Sequence, residues 1–119
     1  GARTGFEGFT LTAYPARHTA ETNPLILRLE CGERVITYSG DTEWTDALVV
    51  ACQGADLLIA ECYFHDKPVR MHLDYATLAA HRHELEARRI VLTHMSAQML
   101  GKVDAVAEQC ARDGLVLEV

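Results

Sequence analysis

Between Arg34 and Cys52 the chain changes its period, and that change constrains the fold more than any other feature. Arg34-Val35-Ile36-Thr37-Tyr38 is a β-branched and aromatic run, whereas Trp44, Leu48 and Cys52 recur at helical spacing. A strand therefore empties through Ser39-Gly40-Asp41-Thr42 into a helix, and the loop between them carries a carboxylate. Strand-to-helix turns commonly end in a capping residue, so Asp41 or Thr42 could be there for that purpose alone. A second strand, Arg89 to Thr93, delivers His94 into a similar loop. Carboxylate and imidazole are both metal ligands, and open α/β sheets gather their ligands at strand ends.

The remaining elements follow from the same reading. Phe9 to Tyr14 alternates at period two and stops at Pro15, with His18 just beyond. Leu25 to Cys31 is a strand joined through Gly32-Glu33 to the Arg34 run, an expected antiparallel hairpin. Asp56 to Ala60 is a continuous apolar run, the pattern of a strand covered on both faces, and it ends at Glu61. Asp74 is suited to cap a helix in which Tyr75, Leu78 and Leu85 form one stripe, and His72 falls in the loop before it. Ser96 is expected to cap a long last helix through Leu100, Val103, Val106 and Cys110, ended by Gly114, with Leu115 to Val119 as a closing strand. Three strands followed by alternating helix and strand define α/β architecture with a mixed sheet. Its strand-end loops would bring His18, Asp41, Glu61, His72 and His94 towards one edge.

At 119 residues and 49% hydrophobic, the chain fits one domain with a core of its own. A net charge of −6 and the lack of a Lys/Arg run argue against a nucleic-acid stripe. Cys31, Cys52, Cys62 and Cys110 are far apart, without a C-x-x-C pair, which predicts free thiols and a cytoplasmic location. No apolar run reaches the roughly 18 residues of a membrane span, and no signal peptide is recognisable, so no membrane partner is expected. The first residue is Gly1 rather than Met, as in a processed product or the tail of a longer protein.

Six histidines need sorting. His81 and His83 would point about 200° apart on a helix, so they are expected at the surface rather than on one metal. His83-Glu84 begins an H-E-x-x-H pattern that fails at Ala87. His65, in the polar run His65-Asp66-Lys67-Pro68, is expected to be a solvated turn residue. That leaves His18, His72 and His94 in loops where side chains can converge. Asp41 could neutralise a dication, His94 could ligate it, and Glu61 with His72 would make a proton-transfer pair.

Tyr38-Ser39-Gly40-Asp41-Thr42, Leu58-Ile59-Ala60-Glu61-Cys62-Tyr63-Phe64, His72-Leu73-Asp74-Tyr75-Ala76-Thr77 and Ile90-Val91-Leu92-Thr93-His94-Met95-Ser96 occur in this order. Together they resemble the C-terminal half of metallo-β-lactamase-fold hydrolases, nearest to the ribonuclease Z-like branch. The resemblance implies half of an αββα sandwich, a mixed sheet with helices on one face. It assigns Asp41 and His94 to the metals, Glu61 and His72 to proton shuttling, and His18 to a place near the site or in its second shell. The family's His-x-His-x-Asp-His signature, from its N-terminal half, is absent, as is the further histidine completing the first metal site. Residues 1–119 therefore look like the C-terminal half alone, with an apolar inner face expecting the other half or a second copy.

Two function classes follow from that resemblance. One is a dinuclear hydrolase of a phosphodiester or related ester bond, in which two divalent ions, zinc first and manganese or iron as alternatives, generate hydroxide near neutral pH. Its substrate is expected to be a small phosphoester or ester rather than RNA, because no long basic arm is present. The other is a non-catalytic binding or assembly module that keeps the fold. With only Asp41 and His94 as convincing ligands, the 119-residue piece is expected to be inactive alone and to hold metal weakly.

Overall fold

The computed structural model describes the backbone of residues 1–119 and every side chain except that of residue 20. Seven strands form one sheet in sequence order. They are β1 (Ala2–Phe6), β2 (Phe9–Pro15), β3 (Leu25–Cys31), β4 (Arg34–Tyr38), β5 (Leu57–Glu61), β6 (Ile90–Thr93) and β7 (Gln109–Cys110). The first four pair antiparallel, and β4 to β7 pair parallel. The β3–β4 hairpin and the mixed α/β sheet are as expected from the sequence.

Helices α1 (Asp46–Ala51), α2 (Tyr75–His81) and α3 (Ala97–Leu100) fill the connections. Each is short, so its start depends on a cap. Thr45, Asp74 and Ser96 accept from Ala47, Thr77 and Met99 N–H respectively. Neither Asp41 nor Thr42 caps α1, so Asp41 is free of the role its position in the turn first offered it.

Side-chain alternation divides the sheet into two unlike faces. Ile26, Leu58, Ala60, Ile90 and Leu92 share one face and pack in a single core with Leu48 and Ala51 of α1, Leu78 of α2 and Met99 of α3. All three helices therefore lie on that face. Leu58 and Leu92 are fully buried there, and truncating either to Ala would cost about 2–5 kcal/mol. The opposite face carries Leu11, Leu29, Ile36 and Leu57 in one row, and Ala13, Leu27, Tyr38, Ile59 and Val91 in the next. At its β1–β4 end Phe6, Phe9, Leu25 and Tyr38 are exposed.

The C-terminal region departs from expectation. The long last helix is a single α-turn closed at Gly101, followed by a 3₁₀ turn at Val103–Ala105. Glycine in a helix interior costs about 1 kcal/mol, and Gly101 falls inside the span that a long helix through Cys110 needed. Cys110 pairs with Leu92 as part of β7 instead of closing a helical stripe, and Leu115 to Val119 forms no strand. A fourth antiparallel strand, β1, opens the chain with every residue exposed, so burial left no mark on its sequence.

Candidate metal centre

Parallel pairing puts the C-terminal ends of β4, β5 and β6 on one edge, and each ends beside an ionisable side chain. After β4, Ser39 N–H still bonds to Ile59 C=O at 2.9 Å, and then Gly40 turns the chain at φ +57°. A Cβ on Gly40 would stand 2.9 Å from the Leu25 carbonyl oxygen, so glycine is required on both counts. Asp41 follows at the edge. β5 delivers Glu61 there, and β6 delivers His94, whose φ of +52° is unusual for a residue with a side chain.

His18 arrives from the β2–β3 connection. Arg17 N–H donates to Thr42 Oγ1 at 2.9 Å and Glu43 N–H donates to Arg17 C=O at 2.8 Å, which pins this segment beside Asp41. His72 arrives from the loop before α2, where Leu73 N–H bonds to Glu61 Oε1 at 2.9 Å. All five residues singled out in the sequence thus meet at one edge. His81, by contrast, stacks on Trp44 with ring centroids 4.2 Å apart, and His65 stacks on Tyr75 at 5.4 Å, half-buried rather than a freely solvated turn residue.

The two carboxylates differ in what already occupies them. Glu61 is 1% exposed; its Oε1 accepts Thr42 N–H and Leu73 N–H, and its Oε2 lies 3.0 Å from His72 Nδ1. Such a carboxylate is committed to holding loops and an imidazole. Asp41 accepts no hydrogen bond among the described residues. Its Oδ1 faces His94 Nδ1 at 3.6 Å and its Oδ2 faces His18 Nε2 at 3.8 Å, separations too long for hydrogen bonds. Asp41, Glu61, His72 and His94 each offer one ligand atom, and those atoms lie within 4.8 Å of one another. An uncommitted carboxylate flanked by imidazole nitrogens is a donor set that suits a divalent ion.

Cys62, next to Glu61, turns into the core, where its Sγ lies 3.8 Å from Met99 Sδ, and burial, reinforced by Asp74, Cys110 and Glu61, pushes its thiol up to about 12. The group that sequence reasoning did not place in the site is Tyr63, whose ring stacks on His72 at 4.9 Å. Its place two residues beyond Glu61, on the same extended segment, was the available signal.

With fold and geometry in hand, the chain can be placed. It belongs to the beta-lactamase superfamily, whose domain model matches residues 1–95, and it carries the metallo-β-lactamase fold. It is similar to ribonuclease Z of Methanosarcina acetivorans, 36% identical over 78 residues, covering 61% of this chain and 26% of that protein. Among solved structures, the metallo-beta-lactamase fold protein YhfI from Bacillus subtilis matches with a TM-score of 0.79 at 24% identity, covering 98% of this chain and 52% of that one. The short form of human tRNase Z matches with a TM-score of 0.73 at 24% identity, covering 97% of this chain and 44% of that one. The chain thus spans about a quarter of that curated relative and about half of these structural neighbours. Among the described residues no helix is long and apolar enough to cross a membrane.

Proposed function

We propose that this chain supplies one side of the active site of a dinuclear metal-dependent hydrolase acting on a phosphodiester or related ester bond. The observation that carries the reading is the uncommitted Asp41 carboxylate, which turns one oxygen to His94 and the other to His18. Asp41, His94 and His18 would hold two divalent ions, so His18 would join the ligands rather than stand behind them. Zinc suits these nitrogen and oxygen donors, with manganese or iron as alternatives. Divalent ions in such a site supply a nucleophile at neutral pH and stabilise charge on the group being attacked.

Glu61 and His72 have a separate role. Because Glu61 Oε2 engages His72 Nδ1, the proton on that ring nitrogen is held, and Nε2 is the position from which a proton can reach a leaving oxygen. Three donors for two ions leave both shells open. The remaining ligands would come from a His-x-His-x-Asp-His half covering the helix-free sheet face, or from a second copy seated there. A small phosphoester or ester is the preferred substrate over RNA, since the chain bears a net charge of −6 and no basic arm.

The test compares Asp41→Ala with His72→Ala in the intact protein, by metal content and by turnover of a chromogenic phosphodiester. Asp41→Ala should lose metal and activity together, whereas His72→Ala should keep metal and slow turnover by about 10²–10⁴-fold, the range for general acid–base catalysis. Undiminished turnover by wild-type protein stripped of metal would overturn the reading.

A further inference from the structure

We infer that Tyr63 is a positioning residue that fixes the spacing between the His72 and His94 imidazoles. Its backbone ties both loops to one point: Tyr63 N–H donates to Leu73 C=O at 2.8 Å, and Tyr63 C=O accepts Ser96 N–H at 2.9 Å. One loop carries His72 and the other carries His94.

The side chain completes the bracket. The phenol ring stacks on His72 with centroids 4.9 Å apart and planes 24° apart, and it meets His94 at 5.7 Å and 39°. The two imidazoles are themselves 5.6 Å apart and nearly parallel at 15°, so the three rings form a triangle. Phe64 backs Tyr63 edge-on at 4.8 Å, which restrains the phenol in turn.

What each imidazole otherwise has to hold it shows why the bracket matters. His72 is anchored at Nδ1 by Glu61. The His94 side chain is 45% exposed, and among the described residues no hydrogen bond holds its ring. Its left-handed backbone costs an L-residue about 1–2 kcal/mol, so that conformation must be imposed by its surroundings. Ring contacts with Tyr63 and His72 are what orient the imidazole on that backbone. The Tyr63 hydroxyl has no partner among the described residues, so the flat face of the ring does the work and phenylalanine should substitute for it. The catalytic consequence rests on the hydrolase reading; the positioning does not.

The experiment measures cross-relaxation between His72 and His94 ring protons by NMR in the full chain without added metal, for wild type, Tyr63→Phe, Tyr63→Ala and Tyr63→Leu. Wild type and Tyr63→Phe should show the inter-imidazole contact, and Tyr63→Ala should lose it. Tyr63→Leu keeps apolar bulk without a flat face and covers the case in which the alanine variant fails to fold; it should lose the contact while staying folded. In the intact enzyme the same loss should lower kcat by up to about a hundredfold, the scale of a 1 Å misplacement, with Tyr63→Phe restoring it. Persistence of the contact in a folded Tyr63→Leu or Tyr63→Ala, or its loss in Tyr63→Phe, would overturn the inference. An inactive wild type with the expected NMR pattern would instead count against the hydrolase reading alone.

Discussion

Replacing Glu61 should reveal how much of the site hangs from one buried carboxylate. Its Oε1 accepts Thr42 N–H and Leu73 N–H at 2.9 Å each, and its Oε2 meets His72 Nδ1 at 3.0 Å. Alanine would leave both backbone donors buried without an acceptor, at about 1–3 kcal/mol apiece, and would also lose the contact with His72. The sum is on the order of 3–9 kcal/mol, a large share of the roughly 5–15 kcal/mol that holds a domain together. Glutamine is the informative companion. Its amide oxygen can keep both backbone donors, while its NH₂ can meet His72 Nδ1 only if that nitrogen becomes an acceptor, so Glu61→Gln should cost about 1–2 kcal/mol. Urea unfolding followed by the fluorescence of Trp44, the sole tryptophan, measures both variants. Glu61→Ala within 1 kcal/mol of wild type, or no less stable than Glu61→Gln, would refute the claim that this carboxylate clamps the two loops.

Two further perturbations test neighbouring parts of the structure. Gly40→Ala should destabilise by about 2 kcal/mol or more, because alanine there adds a 2.9 Å approach to the Leu25 carbonyl to the cost of a left-handed backbone. Gly8→Ala, at φ +84° with no atom within 4 Å of its Cβ, should cost only the conformational share, and equal thermal shifts in the two variants would show that the Leu25 contact is unimportant. Burial pushes the thiols of Cys52 and Cys62 from 9.0 up to about 12, so a thiol-specific disulfide reagent at pH 8 should label exposed Cys31 and spare those two until the chain unfolds. Both thiols are protonated in either state well below pH 9. Between about pH 9 and 12 the unfolded chain releases protons that the native state keeps, so stability should fall by about 1.4 kcal/mol per pH unit for each thiol, measured as the urea midpoint against pH.

The parts of this fold that were legible in the sequence are those in which burial or chain reversal leaves a local mark. β3 and β4 match their sequence-read spans, and β5 and β6 do so to within a residue at each end, because β-branched and apolar runs bounded by glycine or charge admit few other readings. β1 has no buried residue, and Gln109–Cys110 is a strand only because β6 offers it a ladder, so neither carried such a mark. The same limit separates the two site carboxylates. In sequence Asp41 and Glu61 look alike, each following an apolar run. What distinguishes them is that Thr42 and Leu73, 19 and 12 residues from Glu61, aim backbone N–H groups at it, while among the described residues no donor comes within hydrogen-bond distance of Asp41. Occupied lone pairs make Glu61 an anchor for loops and an imidazole; free ones make Asp41 the group with valence left for a cation. That division is set by tertiary hydrogen bonding and by nothing local, so residue type and position alone could nominate both carboxylates but could not say how they divide the chemistry.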